Sequence, residues 1–503
     1  MVPHERRRQG LLVVCAAMFI SAVDMTIVNV ALPAISEDLN AGVGELQWVI
    51  DGFLVALAGL LLVGSGLADR FGRRRVFLGG MAAFAVASVL CALARSPAAL
   101  IGARALMGAA AACVLPPALS LIAVMFPPEE RAQALGVWAA VAGIGLVVGP
   151  VLGGLLVDEV GWEAVFLVNV PVAALVVPVG LRVLPESTRP GTPPIDVVGA
   201  GLSIVSLTGI IFALIEGPDA GWGSPELIGG AAIGLAAGVL FVRGELRRRN
   251  PLFDVRVLTR PAVVAGAAAI LCTYVSFMGT MFLLPQYLQY VQDHSVVTAG
   301  LLLIPLGLGA GVGARYNARV FAALGARLTL AGGMALLAAA VALLLLLSRT
   351  TSVAVVLLAT GLLGGLIALT VPPATAVIMN DLGEEKAGDG GAVNQLARQV
   401  GGALGVALIG TVFAASYAGR IDDLERLDAA QRDRAVESIE EARDVVGDAR
   451  GAARAQLSAE VDDAFDDAAH AGFGVCVGVL LLAALIAAIL LAPRRLLTRV
   501  QVE

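Results

Sequence analysis

Runs of about 20 apolar residues recur from one end of this chain to the other, each the length of a helix that crosses a bilayer. Nothing constrains the fold more. About fourteen such runs are read by that length criterion, near residues 11–33, 46–68, 76–94, 98–125, 132–156, 164–184, 195–215, 227–243, 261–284, 296–314, 326–347, 352–379, 392–415 and 471–492. Composition agrees: 58% of the 503 residues are hydrophobic and 15% are charged, too few to cover a soluble protein of this length. Abundant glycine and alanine fit helices that approach closely without a hydrophobic driving force. The expected class is an all-α membrane protein.

The first run follows the basic "HERRR", as a secretory leader would. It is too long, it carries Asp24, and more runs follow, so it is read as the first span. The five cysteines are scattered without disulfide-like or metal-like spacing and read as small apolar filler. The three histidines, His4, His294 and His470, lie outside or at the edges of the runs. No metal-binding pair, nucleophile with base or phosphate-cradling loop is found, so neither an enzyme nor direct ATP use is expected. No metal, cofactor or nucleic-acid partner is expected.

Basic residues mark cytoplasmic loops. "HERRR", "DRFGRRR", "RGELRRRNPLFDVRVLTR", "RYNARVFAALGAR" and "PRRLLTR" fall on one side, while "SEDLNAGVGE", "DEVGWE" and "EGPDAGWGSPE" fall on the other. Both termini are therefore expected inside. Residues 416–470 are long, acidic and rich in helix formers, interrupted at Gly447 and Gly451. A surface helical hairpin on the outside, with a solvated charged face, is expected there.

"GSGLADRFGRRRVFLGG" (64–80) is weakly echoed by "GARYNARVFAALGARLTLAGG" (313–333). The echo implies two six-helix bundles in a pseudo-twofold arrangement with two added helices between them, a known transporter architecture. The expected division is 1–190 for the N-terminal bundle, 191–256 for the extra pair and 257–503 for the C-terminal bundle. Asn317 stands about where an acid would echo Asp69.

Three charges interrupt the apolar runs of the first half. At about 1.5 Å rise per residue, Asp24 on the first span, Asp51 on the second and Arg104 on the fourth all lie roughly 20 Å above the inner face. A charge at that depth is costly, faces a cavity or a partner, and marks function by default. Pairing Asp24 with Arg104 relieves the cost. Arginine stays charged, so the carboxylate is the group that can carry a proton. A static pair joining two helices is the alternative. Thr26 and Asn29 lie on the opposite side of the first helix from Asp24, which therefore meets protein or water on both sides.

These residues belong to recognisable patterns. The chain resembles the major facilitator superfamily, and within it the fourteen-span drug:proton antiporters, over nearly its whole length. "SAVDMTIVNVALP" resembles the first-helix signature through Asp24, Thr26, Asn29, Ala31, Leu32 and Pro33. "GLADRFGRRR" resembles the loop motif through Gly66, Asp69, Arg70, Gly72, Arg73 and Arg74. "RALMGAAAA" resembles the fourth-helix motif through Arg104 and Gly108, with Met107 in place of the usual glutamine. "GIGLVVGPVLGG" resembles the antiporter helix through Gly145, Gly149, Pro150, Gly153 and Gly154. "NQLARQVGGALGVALIGTVF" looks like the opening of span thirteen in these exporters.

The resemblance implies proton-coupled efflux of amphipathic drugs or toxic compounds, with cationic ones within its range. Asp24 and Arg104 would couple the proton, Asp51 and Asn29 would meet substrate, and the loop motif would latch one conformation. The antiporter helix would favour closure to the inside. Asp51 near Trp48 resembles the branch exporting cations, although Phe53 replaces an expected tyrosine. No cofactor beyond the proton gradient is implied. The expected setting is a monomer in the bacterial inner membrane, partnered by lipid, protons and a small amphipathic substrate. Export of an endogenous metabolite, self-made antibiotic or lipid uses the same machinery and stays open, as does a non-transporting sensor on a transporter fold.

Overall fold

The computed structural model describes residues 4–188, 196–217, 221, 223–247, 255–382, 387–422, 424, 427–437, 439–448 and 452–491. Among the described residues the regular structure is helical and no strand occurs. The first half comprises α1 (His4–Leu39), α2 (Val43–Phe71), α3 (Arg73–Ala92), α4 (Pro97–Ala112), α5 (Leu115–Met125), α6 (Pro128–Glu159), α7 (Ala164–Leu167) and α8 (Asn169–Val183). α9 (Val197–Ile215) and α10 (Pro225–Arg247) follow. The second half comprises α11 (Pro261–Tyr290), α12 (Val296–Leu301), α13 (Ile304–Ala342), α14 (Val353–Leu382), α15 (Ala387–Asp422), α16 (Ala429–Glu437), α17 (Ile439–Asp448) and α18 (Ala452–Leu490). The sequence boundary expected at 190 and 191 lies outside the described residues.

Local chemistry sets several helix starts. Ser96 accepts from the Ala99 amide at 3.3 Å with Pro97 opening α4. Asp196 accepts from the Gly199 amide at 2.8 Å to open α9. Ser295 accepts from the Thr298 amide at 3.2 Å to open α12.

Among the described residues, 12 helical stretches are long and apolar enough to cross a membrane. Two places account for the difference from the larger number read in the sequence. The runs at 296–314 and 326–347 lie in one stretch of 51 residues, Val296–Leu346. At 1.5 Å per residue that is about 77 Å, over twice a bilayer core. The run at 132–156 lies on α6, a helix of 32 residues that is not among the 12.

The long stretch is broken at Gly325, where φ is 76° and ψ is 173°. Gly72, between α2 and α3, has φ 110°. Both halves thus turn from second to third helix through a glycine in a region that side chains disfavour. Aligned on these two glycines, Ala322 takes the place of Asp69. Asn317 is not its counterpart and instead donates from Nδ2 to the Ala368 carbonyl at 3.3 Å.

Burial sorts the helices. In α1, α2 and α11, 67% of the apolar window is buried, against 17% in α9 and α10. The first three are interior and the extra pair is peripheral. α9 and α10 touch through Gly209 and Gly234, where a Cβ at Gly209 would lie 2.7 Å from the Gly234 Cα. α9 also spans the seam between the halves. Ser203 Oγ donates to the Gly59 carbonyl of α2 at 3.3 Å, and Thr411 Oγ1 of α15 donates to the Leu214 carbonyl.

The end of the bundle holding the start of α1 is called here the terminal face, and the opposite end the distal face. The acidic segment folds over the distal face. Ala435, Ile439, Ala442, Val445 and Val446 are buried, so α16 and α17 dock an apolar face rather than presenting a wholly solvated one. Arg443 Nη2 donates to the Tyr290 carbonyl at 2.6 Å, and Arg349 pairs with Asp462. Ile439 shares a small hollow with Ser36 and Leu46 of the first half and Phe413 and Phe465 of the second.

In the second half, α13 and α14 pack glycine on backbone. A Cβ at Gly364 would overlap the Leu306 carbonyl, and one at Gly309 would lie 3.0 Å from the Gly365 nitrogen. Gly364→Val is expected to destabilise the fold by about 1–3 kcal/mol through overpacking. Thermal unfolding of purified protein in detergent checks this, with a midpoint several degrees lower expected.

Candidate functional site

The central polar site is built from the first half. Asp24 of α1 and Arg104 of α4 meet as a buried ion pair, Arg104 Nη1 donating to Asp24 Oδ2 at 2.8 Å with side chains 2% and 0% exposed. Arg104 is held from further sides. Its Nε donates to the Val49 carbonyl of α2 at 3.0 Å. Its guanidinium carbon lies 4.4 Å from the Phe53 ring centroid and 5.9 Å from that of Phe166. Nη1 also reaches the Met107 sulfur at 3.6 Å. Gly108 makes the arrangement possible: a Cβ there would overlap the Phe53 backbone, so α4 can lie directly on α2.

The second Asp24 oxygen is also engaged. Asn169 Nδ2, at the start of α8, donates to Asp24 Oδ1 at 3.2 Å and to Ser88 Oγ of α3 at 2.9 Å. Ser88 Oγ in turn donates to the Phe166 carbonyl at 2.6 Å. Neither Asn169 nor Ser88 stands out in the sequence. A carboxamide or hydroxyl in an apolar run reads as packing, and the only available signal is that Asn169 is a full amide inside an expected span.

Asp51 does not join this cluster. It is 0% exposed, and neither of its carboxylate oxygens has a hydrogen-bond partner among the described residues. Gln47, one turn earlier on the same face, is likewise buried with both ends of its amide unpartnered. That face looks across the seam to α15, where a Cβ at Gly410 would overlap Gln47 and one at Gly402 would lie 3.5 Å from Leu54. Leaving a buried polar group unpaired costs about 1–3 kcal/mol. Trp48 turns aside to donate to Glu216 Oε1 at 3.3 Å.

Asn29 is buried and donates to the carbonyls of Met25, at 3.2 Å, and Thr26, while its Oδ1 has no partner. Thr26 faces Gly149 of α6. Both sides of α1 therefore meet protein, as the placement of these polar groups requires.

The loop-motif residues gather at the terminal face within the first half. Arg73 Nη2 pairs with Asp69 Oδ1 at 3.0 Å. Arg70 stacks on Phe71, its guanidinium carbon 5.6 Å from the ring centroid. Gly66 lies on the final turns of α2. Glu186, not singled out in the sequence, ties the loop to the end of α8. It accepts from the Arg74 amide at 3.1 Å and lies 3.6 Å from the Arg74 and Arg75 side chains. A Cβ on Gly72 would collide with this carboxylate, so Gly72 is required by both space and φ.

The glycines of α6 divide into two faces. A Cβ at Gly145 would lie 2.7 Å from the Phe19 carbonyl oxygen, one at Gly149 would lie 2.9 Å from that of Val23, and one at Gly153 would lie 3.0 Å from that of Ile27, all on α1. Gly154 faces the second half instead, where a Cβ would lie 2.8 Å from the Val296 carbonyl oxygen. Gly300 rests on the Pro150 carbonyl in the same way. Gln289 Nε2 donates to the Val30 carbonyl at 3.4 Å nearby. This joint lies toward the distal face.

Two helical halves docked along one seam, with a buried ion pair at the centre of the first, define a membrane transporter rather than an enzyme. The chain belongs to the Major Facilitator Superfamily, whose family model matches residues 14–406. It is 36% identical over 405 residues to the tetracenomycin C resistance and export protein of Streptomyces glaucescens, covering 80% of this chain and 75% of that one. It is 36% identical over 446 residues to a puromycin resistance protein of Streptomyces alboniger, covering 86% and 87%. It is 32% identical over 443 residues to the multidrug efflux pump LfrA of Mycolicibacterium smegmatis, covering 87% of each. A bacterial homologue of the human lysosomal transporter Spinster, solved inward-facing and unoccupied, shares the fold with a TM-score of 0.67 at 17% identity over 97% of both chains.

Arg104→Lys keeps the charge but loses the planar fork that reaches Val49 and Asp24 together. Transport is expected to fall at least about tenfold, in line with the loss of one charge-assisted hydrogen bond at about 1.5–3 kcal/mol. Initial rates normalised to membrane-inserted protein check this.

Proposed function

We propose that this chain is a proton-driven exporter of amphipathic compounds, cationic ones included, in the bacterial inner membrane. The observation that carries the reading is the fully buried Asp24–Arg104 pair at the centre of the first half. In that pair only the carboxylate can gain and lose a proton, since arginine stays charged. Relatives named for antibiotic resistance, export and multidrug efflux support the direction and the substrate class. Both termini lie in the cytoplasm, the chain crosses the membrane fourteen times with the stretch 296–346 counted as two passes and α6 added as one, and the protein works as a monomer.

In this reading the present conformation is closed at the outer face. The joint of Gly154, Pro150 and Gly300 closes the outer face, and the Asp69–Arg73 pair and Glu186 stay within the first half until the halves rock the other way. Asp51 and Gln47 lie unpartnered on the α2 face of the seam, so parting the outer face opens them to a cation or water that supplies the missing partners. Asn29 presents a further unpartnered oxygen to substrate.

Export of a self-made product is a second reading, favoured by the relative named for export of tetracenomycin C. A panel of cationic and neutral dyes in an efflux-deficient host separates a broad exporter from one tuned to a single compound.

Asp24→Asn is expected to abolish export driven by an imposed pH gradient in membrane vesicles while the protein still reaches the membrane. Asp51→Asn is expected to reduce export of cationic dyes about tenfold or more and to spare neutral ones, tenfold being about 1.4 kcal/mol. Full gradient-driven activity of Asp24→Asn would reject the proposed coupling.

A further inference from the structure

We propose that Asn169, tethered by Ser88, is a positioning residue for proton exchange at Asp24, offering the carboxyl a donor when it is ionised and an acceptor when it is protonated. The inference rests on the reading of Asp24 as the exchanging group.

Three observations converge. Asn169 is 0% exposed and spends its Nδ2 on Asp24 and Ser88 at once. Its Oδ1 is buried with no hydrogen-bond partner among the described residues. Arg104, on the other carboxylate oxygen, has donors only. Of the two side chains bonded to Asp24, then, only Asn169 can accept a hydrogen bond from a carboxylic O–H.

A proton entering from water binds the Asp24 oxygen that faces α8. The Asn169 amide then turns over about its last side-chain bond, exchanging Nδ2 for Oδ1, and Oδ1 accepts from the new O–H. Ser88 follows without moving its oxygen, because a hydroxyl both accepts and donates: it turns its hydrogen from the Phe166 carbonyl to Oδ1. Release reverses the sequence, the proton returning to water. Only the O–H bond forms and breaks. One end of the amide is unpartnered in each state, and the protonated state also forgoes the Ser88 bond to the Phe166 carbonyl.

Among the described residues, the ionisable groups facing Asp24 are few. Arg104 comes from α4, and the Cys91 thiol of α3 lies within electrostatic reach of both members of the pair. α6 meets α1 through Gly145, Gly149 and Gly153, and α11 through the uncharged Gln289. α2 contributes the Val49 carbonyl to Arg104. A shift in pH response on altering Asn169 is therefore read at Asp24.

The test is ethidium–proton exchange in inside-out vesicles carrying the full chain, measured against pH for wild type, Asn169→Leu, Asn169→Gln and Ser88→Ala. Asn169→Leu removes a charge-assisted donor from the ionised carboxylate and a weaker, neutral acceptor from the protonated carboxyl, so the pH of half-maximal exchange is expected to move up by about half a unit to one unit, the difference between the two kinds of hydrogen bond. Ser88→Ala is expected to move it in the same direction by roughly a third as much, since a tether and not the donor itself is lost. Asn169→Gln keeps donor and acceptor and is expected to lie nearer wild type than Asn169→Leu. Should Asn169→Leu fail to reach the membrane, Ser88→Ala decides alone. Rates lowered by one factor at every pH, with an unmoved midpoint, mean a merely structural role and overturn the inference while leaving Asp24 in place. A wild type indifferent to the proton gradient overturns the coupling itself and this inference with it.

Discussion

A guanidinium buried among apolar helices cannot shed its charge, and the first half is arranged around that fact. Arg104 demands a counter-charge, and Asp24 on α1 supplies it. It demands acceptors for its remaining donors, and the Val49 carbonyl supplies one only because Gly108 lets α4 settle onto α2. Phe53 and Phe166 add ring faces to the charge. The counter-charge brings its own needs, met by Asn169 from α8 and, through it, by Ser88 from α3. Six helices are registered against one another by one ion pair. Apolar packing between greasy helices in lipid has no comparable power to fix register.

The sequence makes the charged part of this site readable and hides the uncharged part. Asp24 and Arg104 stand out because a charge in an apolar run has few tolerable fates. Helix rise alone places them at one depth. Asn169 and Ser88 do not stand out, because an amide or hydroxyl near hydrocarbon is common enough to pass as filler until its partners are seen. Glu186 is hidden for another reason: it follows the last helix of the half, where acids are unremarkable, and only the fold brings it to the Gly72 turn.

The division of the α6 glycines is similarly beyond sequence. Spacing puts Gly145, Gly149 and Gly153 on one stripe, but which neighbour each face meets, and at which end, depends on how the halves dock. The turn echo was legible in outline. Its register was not, since Asn317 looked like the counterpart of Asp69 until the two positive-φ glycines aligned Ala322 there instead. The halves therefore share a turn but not its electrostatics: the first binds Asp69 to Arg73 and Glu186 to Arg74, and the second has alanine at the matching acid position. The acidic segment reads as helical in the sequence, but its buried face of Ile439, Val445 and Val446 sits on one short, strongly charged helix whose composition conceals it.

The joint between Gly154, Pro150, Val296 and Gly300 is main chain resting on main chain. Few bulky groups interlock there, so few rotamers must be found before the surfaces mate and few must be released before they part. Such a contact behaves like two smooth plates: its adhesion comes from many weak dispersion terms that vanish together over a small displacement. A transporter whose halves must mate and part here gains by this, because closing requires no slow search and opening meets no jammed side chain.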